Sequence, residues 1–261
     1  MGKAALLALL LAACSQTVLA EFDADRPTVL ITGANRGLGL EFARRYAGMG
    51  WNVIASCRHP ERATALRALT SDHAQLAVER LDVTSDGQIR ALAAKYREQP
   101  IDVLLNNAGI YGTLETQELG NFDYEDLKRV FDVNTIGALR VSEAFRENVA
   151  ASGQKKIISL GGGMGTQKIG SLFGGHYFIK MSKAAHLMAM GVMQKDMRKT
   201  GVIITMISPG RVDTQLMRDS GWTGKSISAE ESAGYVIERI SLLDETMGGK
   251  LITYDGRIIP L

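Results

Sequence analysis

The chain predicts an α/β protein: one domain, a doubly wound and mostly parallel sheet of about seven strands, with helices on both faces. Short β-branched runs alternate with longer helical stretches, and no repeat, low-complexity tract or composition break marks a second domain. Glycine is abundant, 28 residues against 5 prolines, which suits tight strand-to-helix turns. Strands are expected at Thr28–Thr32, Asn52–Ser56, Leu76–Leu81, Val103–Leu105, Lys156–Leu160, Val202–Ile207 and Lys250–Tyr254. Helical patterns lie between them, at Leu38–Met49, Pro60–Leu69, Asp86–Glu98, Asp123–Ala150, Lys180–Lys199 and Ala229–Leu242. The Gly-, Ser- and Lys-rich stretch from Thr214 to Ser228 is expected as a mobile loop.

Composition narrows the function classes. Lys and Arg number 30 against 28 Asp and Glu, a formal charge of +2, too small for a nucleic-acid-binding field. Two cysteines, Cys14 and Cys57, cannot build a disulfide framework, and no Cys/His spacing predicts a metal site. His59, His73 and His186 are scattered and read as surface or packing residues.

Residues 1–20 differ from the rest. Lys3 precedes an apolar run, Ala4 to Ala13, shorter than the roughly 20 residues a bilayer span needs. A charged start, a short apolar core and small residues are marks of an export signal. Leu11-Ala12-Ala13-Cys14 resembles a bacterial lipobox, which would lipidate Cys14 and anchor the protein; Val18-Leu19-Ala20 offers a competing cleavage site. The expectation is a signal at 1–20, a short linker at 21–27 and a cell-envelope location. The alternative is an N-terminal extension without signal function and a cytoplasmic protein.

The first strand runs directly into Thr32-Gly33-Ala34-Asn35-Arg36-Gly37-Leu38-Gly39, which opens a helix. Glycines there let the backbone turn sharply and approach a diphosphate, which the helix N-terminus attracts. After the second strand an acidic residue would bind the ribose hydroxyls of NAD, whereas an arginine accommodates a 2′-phosphate. Here Ala55-Ser56-Cys57-Arg58-His59 carries Arg58 and no carboxylate, and Arg36 lies within the turn. NADP(H) is the expected cofactor, with NAD(H) the alternative.

With these residues, further motifs resemble the short-chain dehydrogenase/reductase family, whose fold is a Rossmann sheet. Asn106-Asn107-Ala108-Gly109 resembles its N-N-A-G signature, and Asp82-Val83 its adenine-contacting pair. Asn134 resembles the active-site asparagine on the long helix. Ser208-Pro209-Gly210, continuing through Val212 to Thr214, resembles the segment near nicotinamide. The likeness runs from Thr28 to the C-terminus and is greatest to C-factor and sniffer-like carbonyl reductases, through T-G-A-N-R-G-L-G and S-C-R. It implies hydride transfer between nicotinamide and a small carbonyl or alcohol. A tyrosine would donate the proton, its pKa lowered by a lysine that also holds the cofactor ribose, and a serine would orient the carbonyl.

The chain departs from that pattern at two positions. Lys183, in Ser182-Lys183-Ala184-Ala185, matches the family lysine, but four residues earlier stands Ile179 rather than tyrosine. The serine position falls on Gly162. Tyr177 is the candidate substitute donor. Six residues place it about 240° around a helix from Lys183, so it reaches inward only if the helix begins after it. His176 and Thr166 are weaker substitutes, and Ser159 is three residues away from the missing serine. Met188, Met190, Met193 and Met197 mark the following helix either as core or as an interface, since family members commonly dimerise there; a homodimer or homotetramer is expected. Two functions follow: a reductase using Tyr177 or water as proton source, or a catalytically silent NADP-binding sensor or exported signalling protein.

Overall fold

The computed structural model describes residues 22–260, so residues 1–20, with Cys14, lie outside it. Its strands are β1 (Thr28–Thr32), β2 (Asn52–Cys57), β3 (Leu76–Arg80), β4 (Val103–Asn106), β5 (Lys156–Leu160), β6 (Ile203–Ser208), β7 (Leu251–Thr253) and β8 (Ile258–Ile259). They form one sheet in the order β3-β2-β1-β4-β5-β6-β7-β8, parallel except for the β7–β8 hairpin. The expected mostly parallel sheet of about seven strands is present, with a two-residue edge strand in addition that is too short to show any periodicity.

The α-helices are α1 (Gly37–Gly48), α2 (Thr64–Ala68), α3 (Asp86–Lys95), α4 (Tyr124–Phe131), α5 (Ala138–Ala150), α6 (Gln167–Gly170), α7 (Tyr177–Met197), α8 (Gln215–Asp219) and α9 (Ala229–Ser241). Central strands are apolar on both sides because both sides are covered. Val29, Ile31, Val53, Val103 and Leu105 pack with Phe42 and Tyr46 of α1 and Val236 and Ile240 of α9. Leu30, Ile54, Leu104 and Ile157 face the other layer, against Ile89 of α3, Phe145 of α5 and Met190 of α7. This strict alternation sets the register, since a one-residue slip would exchange the two cores.

Helix starts are encoded locally. Ser85 accepts from Gln88 N–H, Asp123 accepts from Glu125 and Asp126 N–H, and Ser228 forms a capping box with Glu231. The expected helix Asp123–Ala150 is interrupted by a π turn at Asp132–Gly137, a distortion common at functional sites, and Asn134 sits inside it. Residues 22–27, expected as a linker, are tied to the fold: Asn52 Nδ2 donates to the Asp23 and Arg26 carbonyls, and Phe22 stacks on Tyr96. The Thr214–Ser228 stretch, expected as a mobile loop, contains α8 and is held by the segment before it: Ile227 bridges to Val212, and Arg211 lies over the Trp222 ring at 4.1 Å.

Candidate functional site

Strand order reverses between β1 and β4, and the turn Gly33–Gly39 lies where such open sheets bind ligands, beyond the carboxyl ends of the strands. Gly33 and Gly37 adopt positive φ, +68° and +53°, which side chains disfavour. A Cβ on Gly39 would stand 2.3 Å from the Gly33 carbonyl oxygen and 2.5 Å from Asn107 Nδ2, so α1 can pack this closely only with glycine there. Asn107 Nδ2 donates to the carbonyls of Thr32 (2.8 Å) and Gly33 (3.1 Å), while Thr32 Oγ1 accepts from the amides of Asn107 and Ala108. Asn107 thus braces the turn from β4, and Ala108 touches it, 3.0 Å from a Cβ on Gly33.

The N-terminus of α1 differs from those of α3, α4 and α9: Arg36 at the N-cap makes no side-chain cap bond, and the first turn carries no acid. Its amide dipoles meet no side-chain anion, and the glycines leave a cradle that any Cβ would narrow. These features fit the diphosphate of a dinucleotide. Asn35 and Arg36 are exposed at its mouth, whereas Leu38 is buried in the core and serves packing. Thr214 closes the turn from the far side, its Cγ2 3.3 Å from a Cβ on Gly37.

At the end of β2, Arg58 is exposed, and its carbonyl accepts from Arg80, which also pairs with Glu61. Among the described residues neither Arg36 nor Arg58 is paired with a carboxylate. Asp82 accepts from Thr84 through both amide and hydroxyl, which shapes the bend after β3, and Val83 packs against Gly137 of the π turn. Gly109 lies against Asn134, whose Oδ1 is 3.3 Å from a Cβ placed on that glycine. Beyond β6, Pro209 O accepts from Ser232, Gly210 (φ +87°) lies under the Tyr254 ring, and Val212 is buried.

Asn134 is 1% exposed, and its amide is fully engaged. Its Oδ1 accepts from Ile110 N–H at 2.8 Å, and its Nδ2 donates to Ile110 O at 2.9 Å and Ser182 Oγ at 3.1 Å. Ser182 in turn donates to Ile179 O at 3.0 Å. Asn134 therefore joins the loop after β4 to α7 on the helix that carries Lys183. Lys183 Nζ donates to Leu160 O at 3.0 Å, and burial of the ammonium lowers its pKa to about 8.

Gly162 has extended backbone and nothing within 4 Å of an added Cβ, so the missing serine leaves open space. Ile179 is buried, and its amide donates to Gln117 Oε1 at 3.2 Å. Tyr177 is corrected as a substitute donor, because α7 begins at Tyr177 itself rather than after it. Its half-exposed ring packs edge-on against Phe122, 4.8 Å between centroids, on the same outer stripe as Met181. Thr166 caps α6 and donates to Gly163 O, and Ser159 is buried against Asn106.

Three residues escaped sequence reasoning. Gln117 bridges Ile179 N–H to the Tyr111 carbonyl, and Ser182 links Asn134 to α7. Tyr111 Oη lies 2.9 Å from His176 Nδ1. Tyr111 stands two residues beyond the N-N-A-G segment, which was the available signal.

A parallel sheet with a glycine cradle at its first crossover, an unpaired basic rim and a buried lysine defines a dinucleotide-binding α/β protein. The short chain dehydrogenase family profile matches residues 27–223, and the chain belongs to that family of oxidoreductases. It is 30% identical over 238 residues to 1-hydroxy-2-glutathionyl-2-methyl-3-butene dehydrogenase of Rhodococcus sp. (strain AD45), covering 89% of this chain and 98% of that one. It is 32% identical over 176 residues to C-signal of Myxococcus xanthus, covering 66% of this chain and 99% of that one. Among solved structures it resembles NADPH-bound carbonyl reductase from chicken fatty liver, with TM-score 0.82 and 29% identity over 90% of this chain and 100% of that one.

Proposed function

We propose that the chain binds NADP(H) and reduces small, reactive carbonyl compounds. The uncapped amide cradle of α1, with Arg36 and Arg58 unpaired on its rim, carries this reading, and the likeness to an NADPH-bound carbonyl reductase supports it. Bound NADPH would supply a hydride for the carbonyl carbon. Gly33, Asn35, Gly37 and Gly39 with the α1 amides hold the diphosphate, and the two guanidiniums meet the 2′-phosphate. Asp82 and Val83 flank the adenine end. Asn107, Ala108 and Gly109 wall the middle, and Pro209, Gly210, Val212 and Thr214 line the nicotinamide end. Lys183 holds the nearby ribose, and Asn134 positions α7.

The opposing reading, a silent NADP-binding protein, is favoured by Gly162 and Ile179, which bring no hydroxyl to the carbonyl. Titration with NADPH and NADH tests the cofactor, and Gly162→Ser with Ile179→Tyr separates the readings. A parent that reduces an activated aldehyde supports the reductase; turnover confined to the double variant supports the silent protein. We also propose that residues 1–20 carry an export signal, cut either before Cys14, which would then be the lipidated N-terminus, or after Ala20; intact mass of the mature protein distinguishes the two. A homodimer through α5 and α7 completes the proposal. Among the described residues no helix is long and apolar enough to cross a membrane.

A further inference from the structure

Ile179 leaves the carbonyl oxygen without the family's phenol, yet the backbone of a different tyrosine, Tyr111, is tied through Gln117 to that position. Tyr111 is 7% exposed, and its Oη lies 2.9 Å from His176 Nδ1. Its backbone is gripped from two directions. Asn134 holds Ile110 through amide and carbonyl, and Gln117 Nε2 donates to Tyr111 O at 2.8 Å. The other end of the same Gln117 side chain accepts from Ile179 N–H, so Tyr111 and the vacated tyrosine position share one brace. His176, three residues before Ile179, is held at φ +55°, ψ +37°, a left-handed conformation disfavoured for a residue with a side chain. Such strain persists where surrounding contacts impose it, and it gathers at functional sites. Here it aims the imidazole at the phenol, while the Phe173 ring stands edge-on to the imidazole, 5.7 Å between centroids.

We propose that Tyr111 donates the proton in carbonyl reduction and that His176 restores it from solvent. This rests on the reductase reading given above. Hydride reaches the carbonyl carbon from NADPH and leaves an alkoxide on the oxygen. The Tyr111 O–H bond breaks as the new alcohol O–H bond forms. The phenolate then takes the Nδ1 proton of His176 while solvent protonates Nε2, and proton exchange with water returns the ring to its Nδ1–H tautomer, so one NADPH, one carbonyl and one solvent proton give NADP⁺ and an alcohol. Burial pushes the Tyr111 phenol up to about 12, which keeps it protonated at neutral pH but still a stronger acid than an alcohol. The pair therefore serves reduction and is a poor base for alcohol oxidation. Two charged groups bear on His176 besides Tyr111: burial, with Lys180 of α7, holds its pKa below the usual value, and Glu118 of the facing loop opposes them.

The test uses the whole protein, NADPH and an activated aromatic aldehyde in single-turnover kinetics, with NADPH affinity measured on each variant. Tyr111→Phe keeps the ring, and His176→Asn tolerates the left-handed backbone. Tyr111→Phe is expected to slow hydride transfer about 100-fold with NADPH affinity unchanged. His176→Asn should remove the imidazole limb from the pH–rate profile. Without cofactor, Tyr111→Phe should shift the His176 ring titration seen by NMR. A wild-type rate in Tyr111→Phe, or loss of activity in Tyr177→Phe alone, overturns the inference and leaves the reductase standing. Tight NADPH binding with no reduction by the parent also overturns it, and absence of NADPH binding removes both readings.

Discussion

Lys183 and His186 lie one turn apart on α7, and both are basic groups held away from water. Lys183 titrates near 8 rather than 10.5 because its ammonium is buried. Between those values the unfolded chain binds more protons than the folded one, so stability rises as pH increases from about 8 towards 10.5. Thermal melts across that window should show the rise in the parent and lose it in Lys183→Met; equal slopes would contradict the burial. His186 is 2% exposed, neither ring nitrogen has a hydrogen-bond partner, and burial with Lys183 nearby lowers its pKa to about 3. Its contribution to stability is lost as pH falls from 6.5 towards 3. His186→Leu replaces an unsatisfied imidazole by hydrocarbon and should raise unfolding stability by about 1 kcal/mol in urea titrations. A lower midpoint would show that the ring makes contacts worth more than its desolvation. At this scale the sequence was legible where spacing from a motif locates a residue: Lys183, Asn134, Gly162 and Ile179 were found in that way. Tyr111 and His176 were not paired in advance because they lie 65 positions apart and meet only through the folded loop after β4.

Elements were legible where periodicity is long and both faces are buried. The seven longer strands were each found within a residue or two, because parallel strands covered on both sides read as continuous apolar runs. The π turn was invisible, since it changes backbone bonding without changing the apolar pattern around Asn134. The start of α7 was also misplaced: the helical pattern reads from Lys180, whereas the helix begins at Tyr177. The turn from β1 into α1 gives the sharpest element-level prediction. Gly39→Ala drives a methyl into the Gly33 carbonyl and Asn107 Nδ2, so NADPH affinity should fall at least tenfold along with the melting temperature. Unchanged affinity would dissociate the cradle from the cofactor. The four methionines of α7 divide between roles: Met190 and Met197 are core, Met193 packs against it, and Met188 is 70% exposed. Met181, Met188 and Val192 form an apolar stripe beside α5, whose exposed Leu139 follows Ile136 of the π turn. Light scattering should report a dimer, and Met188→Glu should shift it to monomer; a monomeric parent would contradict the interface.

Across the whole molecule, the same sheet that buries its strands gathers the candidate binding groups at the carboxyl ends of four neighbouring strands. β1 delivers the cradle, β2 the guanidinium of Arg58, β4 the brace of Asn107 and β5 the Leu160 carbonyl that receives Lys183. None of these positions requires the family serine or tyrosine, so cofactor binding and proton delivery are separable in this architecture. The proposed reductase and its silent alternative both depend on the first of these. Isothermal titration calorimetry of the folded protein against NADPH and NADH measures it most directly. Saturable binding of NADPH, at least tenfold tighter than NADH and weakened by Arg58→Ala, is the expected result. No heat with either nucleotide, or tighter binding of NADH, would contradict it.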